Sequence, residues 1–261
     1  MNEIKTEQGF VAFFDILGYQ QIIKNNDVKK AASIINAFII NVPSLIENKL
    51  KEIIEPFSKT DYEKELLDIS QKLKCIILSD SIILKLPCSL EGSRAINEIM
   101  IFFLSCSNLM RTMFEKGLPL RGTISFGQYY INDTYTCLAG KPIVDAYTLT
   151  SAQNWSGCIL DEEAQKAYMK PFLIAQIEPN ALLKVLAIDY SVPFKSEERP
   201  YKVINWACLN NTLISKISGD IREFVTNAFL RHNKEVAGDV LTKINNTEIF
   251  IRHVNVNVNL E

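Results

Sequence analysis

Histidine is almost missing from this 261-residue chain, with two in all, and the six cysteines at 75, 88, 106, 137, 158 and 208 form no CxxC pair. A structural zinc site is therefore not expected, and scattered thiols in apolar runs suit buried side chains in a reducing compartment. An excess of positive charge is missing too. Lys plus Arg number 28 against 30 Asp plus Glu, a formal charge of -2, so the chain lacks the global basic footprint of nucleic-acid binders. No apolar run reaches the length of a membrane span, because the longest, 96–113, is broken by Asn97, Glu98, Asn108 and Arg111. With no basic-apolar-small leader pattern at its start, the chain reads as cytoplasmic. No Gly/Ser/Pro linker, low-complexity block or internal repeat divides it.

What is there begins with Phe10-Val11-Ala12-Phe13-Phe14-Asp15-Ile16-Leu17-Gly18-Tyr19. Five apolar residues bounded by glycine predict a strand buried on both faces, with one acid at its C-terminal edge. A carboxylate there is costly to bury without a positive partner. A divalent cation would supply one; alternatively, Asp15 caps the helix that follows.

Leu73 to Leu86 reads as a hairpin with Ser79-Asp80-Ser81 at its tip. Asp80 is either an ordinary turn aspartate or the second of two carboxylates converging on one sheet edge, the arrangement a pair of hard divalent ions needs.

Elsewhere the spacing predicts a helix from Tyr19 to Lys24, a longer one capped by Asp27 and interrupted or kinked at Pro43, and a polar surface insertion over 55–71. A long helix is expected from Ser89 to Lys116, a strand over 120–131 with a turn at Asn132-Asp133, a helix over 143–154, and a strand over 157–161. Asp161 is expected to cap a short helix through Met169. Beyond that, short strands are expected near 172–177, 184–189 and 201–206, and helices near 211–231 and 233–244. Val254, Val256 and Val258 alternate as an edge strand would, if that tail is ordered. The order β-α-α-β-β-α-β predicts an α+β fold with a mainly antiparallel sheet of the ferredoxin-like kind.

The strand-acid-turn 13–19, the hairpin 78–81, the strand Arg121-Gly122-Thr123-Ile124-Ser125-Phe126-Gly127 and the helix-strand from Gly140 to Leu160 together resemble the class III adenylate/guanylate cyclase homology domain, in that family's order. The likeness covers residues 8–165, which it makes the catalytic core, with 166–259 a C-terminal extension on the same domain. Ala146-Tyr147-Thr148-Leu149 and Gln153-Asn154-Trp155-Ser156-Gly157 are most similar to the bacterial Pycsar cyclases, which make cyclic pyrimidine mononucleotides in antiphage defence.

This resemblance implies a two-metal conversion of UTP or CTP to the 3′,5′-cyclic monophosphate plus pyrophosphate. Asp15 and Asp80 would hold two Mg²⁺ or Mn²⁺ ions, with the Ile16 carbonyl as a further ligand. Backbone amides of Leu17, Gly18 and Tyr19 would cradle the triphosphate. Lys74 is either a base-reading lysine or an exposed strand lysine, and Arg121 either reaches a phosphate or is a strand-edge surface charge. The implied assembly is a head-to-tail homodimer with active sites between subunits, its product read by a separate effector.

One departure stands out. The family's transition-state Asn, with Arg four residues later, falls here on Asp145 or Val144 and on Leu149 or Thr148. Another cation, Arg121 or Lys141, would have to substitute, or the metals must carry more, or the domain senses nucleotide without turnover. A purine cyclase and a dinucleotide synthase are the other enzymes of this kind, and the latter's GGDEF-type signature is absent.

Overall fold

In the computed structural model, which describes residues 4–132, 137–207, 220–236 and 238–258, the apolar run forms the central strand β1 (Thr6–Ile16). Its side chains alternate between two cores. Phe10, Ala12, Phe14 and Ile16 face the large one, while Val11 and Phe13 face a smaller one on the opposite side of the sheet. Burying a phenylalanine such as Phe14 completely stabilises the fold by about 2–3 kcal/mol.

Helices α1 (Tyr19–Asn25) and α2 (Val28–Ile34) follow, the latter capped by Asp27, which accepts from the Lys30 amide at 2.8 Å. A π-helical turn (Ile35–Ile39) ends that helix, and Pro43 sits in the first turn of α3 (Val42–Ile54). Proline thus starts a helix here instead of interrupting one, because the first turn needs no amide donor. The polar stretch 55–71 is also not a surface insertion. After a short 3₁₀ turn it forms α4 (Asp61–Lys72), which buries Leu66 and Ile69 completely and ties to the next long helix through Arg94–Asp68 and Asn97–Glu65 contacts.

The hairpin is β2 (Lys74–Leu78) and β3 (Ser81–Pro87), followed by α5 (Gly92–Glu115), β4 (Leu120–Asn132), β5 (Cys137–Ala139), α6 (Lys141–Ala152), β6 (Cys158–Leu160) and α7 (Glu162–Ala175). Asp133, expected in the turn after β4, lies outside the described residues, as do Cys208 and positions 211–219 of the helix expected near 211–231. Asp161 caps α7, accepting from the Ala164 amide at 2.8 Å. Residues 172–177, expected as a strand, instead close α7, whose buried Tyr168 and Phe172 keep helical spacing onto α5.

Then come α8 (Ala181–Leu186), β7 (Ala187–Pro193), β8 (Glu198–Ile204), α9 (Ile221–Leu230) and α10 (Val240–Val258). The alternating valine tail is the end of α10, not a strand. Ile244, Phe250, Ile251 and Val254, at helical spacing, bury against the large core and override the period-2 pattern.

Among the described residues, eight strands make one sheet in the order β2-β3-β1-β4-β6-β8-β7, with β5 on β4. The first four in space, β2-β3-β1-β4, are antiparallel throughout and linked β-α-β-β-α-β, the ferredoxin-like arrangement. β6 joins parallel to β4 and carries β8 and β7 as an extension. Helix α5 lies across one face. Helix α6 covers only the β1–β4 half of the other, where Thr150 donates to Thr123 Oγ1 at 2.9 Å and Tyr147 meets Phe13 edge-on. No helix among the described residues is long and apolar enough to cross a membrane.

Candidate active site at the end of the central strand

Asp15 is the penultimate residue of β1, directly opposite Ser81 on β3 and Arg121 on β4. The hairpin tip beside it is set by Ser79, whose φ of 58° turns the chain tightly. The Ile16 amide then donates to the Asp80 carbonyl at 3.0 Å, fixing the two acid-bearing segments side by side. Burial raises the Asp15 carboxyl above its ordinary range, and the Asp80 charge adds to that rise against the opposing pull of Arg121 and Lys243.

Arg121 is neither a surface charge nor an open phosphate hand. Its Nε donates to Asp15 Oδ2 at 2.8 Å, and its Nη1 donates to the carbonyls of Ser151 at 3.3 Å and Gln153 at 3.1 Å. Both partners are largely buried. The positive partner that the strand-end carboxylate needs is thus partly supplied by the neighbouring strand.

These residues line a cavity of about 350 Å³ together with Ile16, Leu17, Gly18 and Tyr19. The Gly18 turn has φ 80°, and a side chain there would meet Lys234 Cδ at 2.7 Å, so glycine is required twice over. Of the three amides expected to face a triphosphate, that of Leu17 is committed to the Pro119 carbonyl at 2.9 Å.

The opposite wall comes from the C-terminal segment: Phe229, Lys234, Glu235, Asp239, Val240 and Lys243. Lys234 is 5% exposed and its Nζ donates to the Gly117 and Ala228 carbonyls at 2.8 and 3.3 Å. Burial pulls its ammonium down to about 7. Lys243 pairs with Asp239. Sequence reasoning missed this wall. Two lysines more than 200 positions beyond Asp15 carry no local pattern that marks them, and only packing brings them to the acids.

Two expected participants, Lys74 and Lys141, are elsewhere. Lys74 begins edge strand β2, at the end away from Asp80, and does not line the cavity. Lys141 is mostly exposed, bonded to Asp145 at 2.6 Å beside a different cavity. Gln153 is fully buried, donating to the Gly122 carbonyl and accepting from Trp155 Nε1, both at 2.9 Å.

The acids fit a hard divalent ion. No group of three or more His, Cys, Asp or Glu side chains converges among the described residues. The protein's share is therefore two carboxylates of like charge opening onto a cavity, that of Asp15 raised chiefly by its burial. That donor set suits Mg²⁺ or Mn²⁺ completed by water and phosphate oxygens.

No protein-family model matches the chain, and none of the curated proteins matches it. Solved structures do. The adenylyl cyclase CyaB from P. aeruginosa matches with a TM-score of 0.45 and 13% identity over 78% of this chain and 96% of its own. The monomeric guanylyl cyclase domain of the RhoGC fusion protein from Blastocladiella emersonii matches with a TM-score of 0.48 and 10% identity, over 78% and 98%. A class III adenylyl cyclase-like ATP-binding protein from Pseudomonas aeruginosa matches at 0.44 and 13%, over 62% and 35%.

Proposed function

We propose that this protein is a nucleotidyl cyclase that converts a nucleoside triphosphate to its 3′,5′-cyclic monophosphate and pyrophosphate. One observation carries the reading: Asp15 and Asp80, far apart in sequence, meet at one mouth of a cavity whose other wall is lysine-bearing. In cyclisation the ribose 3′-oxygen attacks the α-phosphorus in line, and pyrophosphate departs, so most of the protein's work is positioning and charge. A bound pair of Mg²⁺ or Mn²⁺ ions supplies the lowered 3′-hydroxyl pKa and the charge that offsets the leaving group.

Asp15 and Asp80, with the Ile16 carbonyl, would hold those ions. Arg121 fixes the Asp15 carboxylate through Oδ2, and Asp15 still lines the cavity. Gly18 and Tyr19 bring backbone close to the substrate. Residues 8–165 carry the acids, and 166–259 complete the site.

The base is UTP or CTP in this reading, and the product serves a separate effector in bacterial antiphage defence, acting in the cytoplasm. Support for that subtype is the sequence likeness over 146–149 and 153–157. A head-to-tail homodimer is favoured by the sheet itself. Lys74, Ile76 and Leu78 share a face with Asp15, at the half of the sheet α6 does not cover, and Leu78 is half exposed. Lys74 and Asp15 stand at opposite ends of that face, so a two-fold pairing brings one copy's lysine toward the other copy's acids.

A second reading is a nucleotide-sensing domain without turnover. The Arg121 pair on Asp15 favours it, since that guanidinium occupies an oxygen a metal would otherwise take. Incubation with each of ATP, GTP, CTP and UTP plus Mn²⁺, with products identified by mass spectrometry and Asp15→Ala alongside, separates the readings. A cyclic pyrimidine product lost in the variant supports the first. A cyclic purine overturns the base assignment, and no product from any nucleotide favours sensing.

A further inference from the structure

We infer that Lys243, on the first turn of α10, is the cation that holds the substrate's polyphosphate, and that it leaves Asp239 to do so. The inference rests on the nucleotide reading above and assigns the polyphosphate contact to a cation of the C-terminal segment.

Three cations line the cavity among the described residues: Arg121, Lys234 and Lys243. Two are spent. The Arg121 guanidinium is divided between Asp15 and the carbonyls of Ser151 and Gln153. Lys234 gives its Nζ to the Gly117 and Ala228 carbonyls while its stem packs on Gly18, so it fastens the C-terminal segment to the turn after β1. Withdrawing either would break the site it helps to form.

Lys243 differs in the kind of partner it has. Its pair with Asp239 is an i,i+4 contact at the start of a helix, and Asp239 is half exposed, with a side-chain exposure of 49% against 12% for Lys243. Such pairs are weakly held, because the carboxylate is readily hydrated once released. A polyphosphate offers more charge and more acceptor oxygens than one carboxylate. Lys243 also lines the same cavity as Asp15 and Asp80, close enough for its charge to act on Asp15. A chain of phosphates reaching from ions at Asp15 and Asp80 therefore extends toward an ammonium whose present partner is dispensable. Lys141, the cation of α6, cannot compete, since it is 80% exposed and lines another cavity.

The test uses the full chain and inorganic tripolyphosphate with Mn²⁺, measured by titration calorimetry, with circular dichroism to verify the fold. Lys243→Ala should weaken binding about tenfold or more, the weight of one charge-assisted contact. Lys243→Arg should retain it, and Asp239→Asn, which frees the lysine, should tighten it. With a nucleotide that is turned over, Lys243→Ala should raise KM more than it lowers kcat. No tripolyphosphate binding by the wild type overturns the inference, as does unchanged binding in folded Lys243→Ala. Weakened binding in Asp239→Asn also overturns it, because the pair would then be structural; this arm and Lys243→Arg decide the matter if Lys243→Ala does not fold. Lys243-dependent binding in a protein that cyclises no nucleotide keeps this inference and removes the cyclase reading. Cyclisation with unaltered Lys243→Ala kinetics does the reverse.

Discussion

Asp15 and Arg121 are cross-strand partners on β1 and β4, and the guanidinium reaches a single carboxylate oxygen, Oδ2, with Nε and Nη2 each at 2.8 Å. The geometry neutralises the acid without enclosing it. One carboxylate oxygen is held by protein, and the residue still lines the cavity.

Arg121→Ala should therefore cost about 2 kcal/mol of stability in urea unfolding, the scale of charge-assisted hydrogen bonds lost from a largely buried acid. Mn²⁺ should recover part of that loss, because an ion takes over the vacated charge. The midpoint gap between variant and wild type should narrow when Mn²⁺ is added. A gap that does not respond would mean that no ion binds at Asp15.

Burial holds the folded Asp15 carboxyl above the ordinary aspartate value of 3.8, so between the two values the folded state carries the extra proton. Stability from this group consequently falls as pH rises through that window. A metal must displace the same proton. The Mn²⁺-induced rise in Tm should then fade on acidification at a higher pH than an ordinary aspartate requires, and Asp15→Asn should abolish the rise at every pH. Thermal scans across pH 4–7, about the carboxylate range, with and without Mn²⁺, read both.

Gly18→Ala meets two obstacles, a φ of 80° and the Lys234 stem. The backbone term alone should cost about 1–2 kcal/mol. Lys234→Ala relieves only the steric part, so the double variant should be less destabilised than the sum of the single ones. Additive losses in a double-mutant cycle would show that the two do not press on each other.

The proposed head-to-tail dimer predicts complementation. Asp15→Ala and Lys74→Ala should each be inactive alone, yet mixing them should restore activity, since mixed dimers contain one intact site. No recovery from mixtures shown to exchange subunits would place Lys74 outside the partner's site.

The sequence by itself determined the central strand, the hairpin with Asp80 at its tip, the caps at Asp27 and Asp161, and the ferredoxin-like order. Each is written in short-range patterns: an apolar run ended by glycine, polar residues between β-rich runs, an acid before a helical stripe. It also singled out Asp15, because a carboxylate at the end of a buried strand asks for a positive partner wherever the chain goes, and offered Asp80 at the hairpin tip as a candidate second acid. Only the tertiary structure decided who answers. Arg121 does so through strand register, a pairing across 106 positions that no local spacing encodes. Lys234 and Lys243 arrive because α9 and α10 pack back over the Gly18 turn. That long-range burial also turned 55–71 and the valine tail into helices, since a half-buried apolar stripe gains more from a core within reach than its local pattern can foretell.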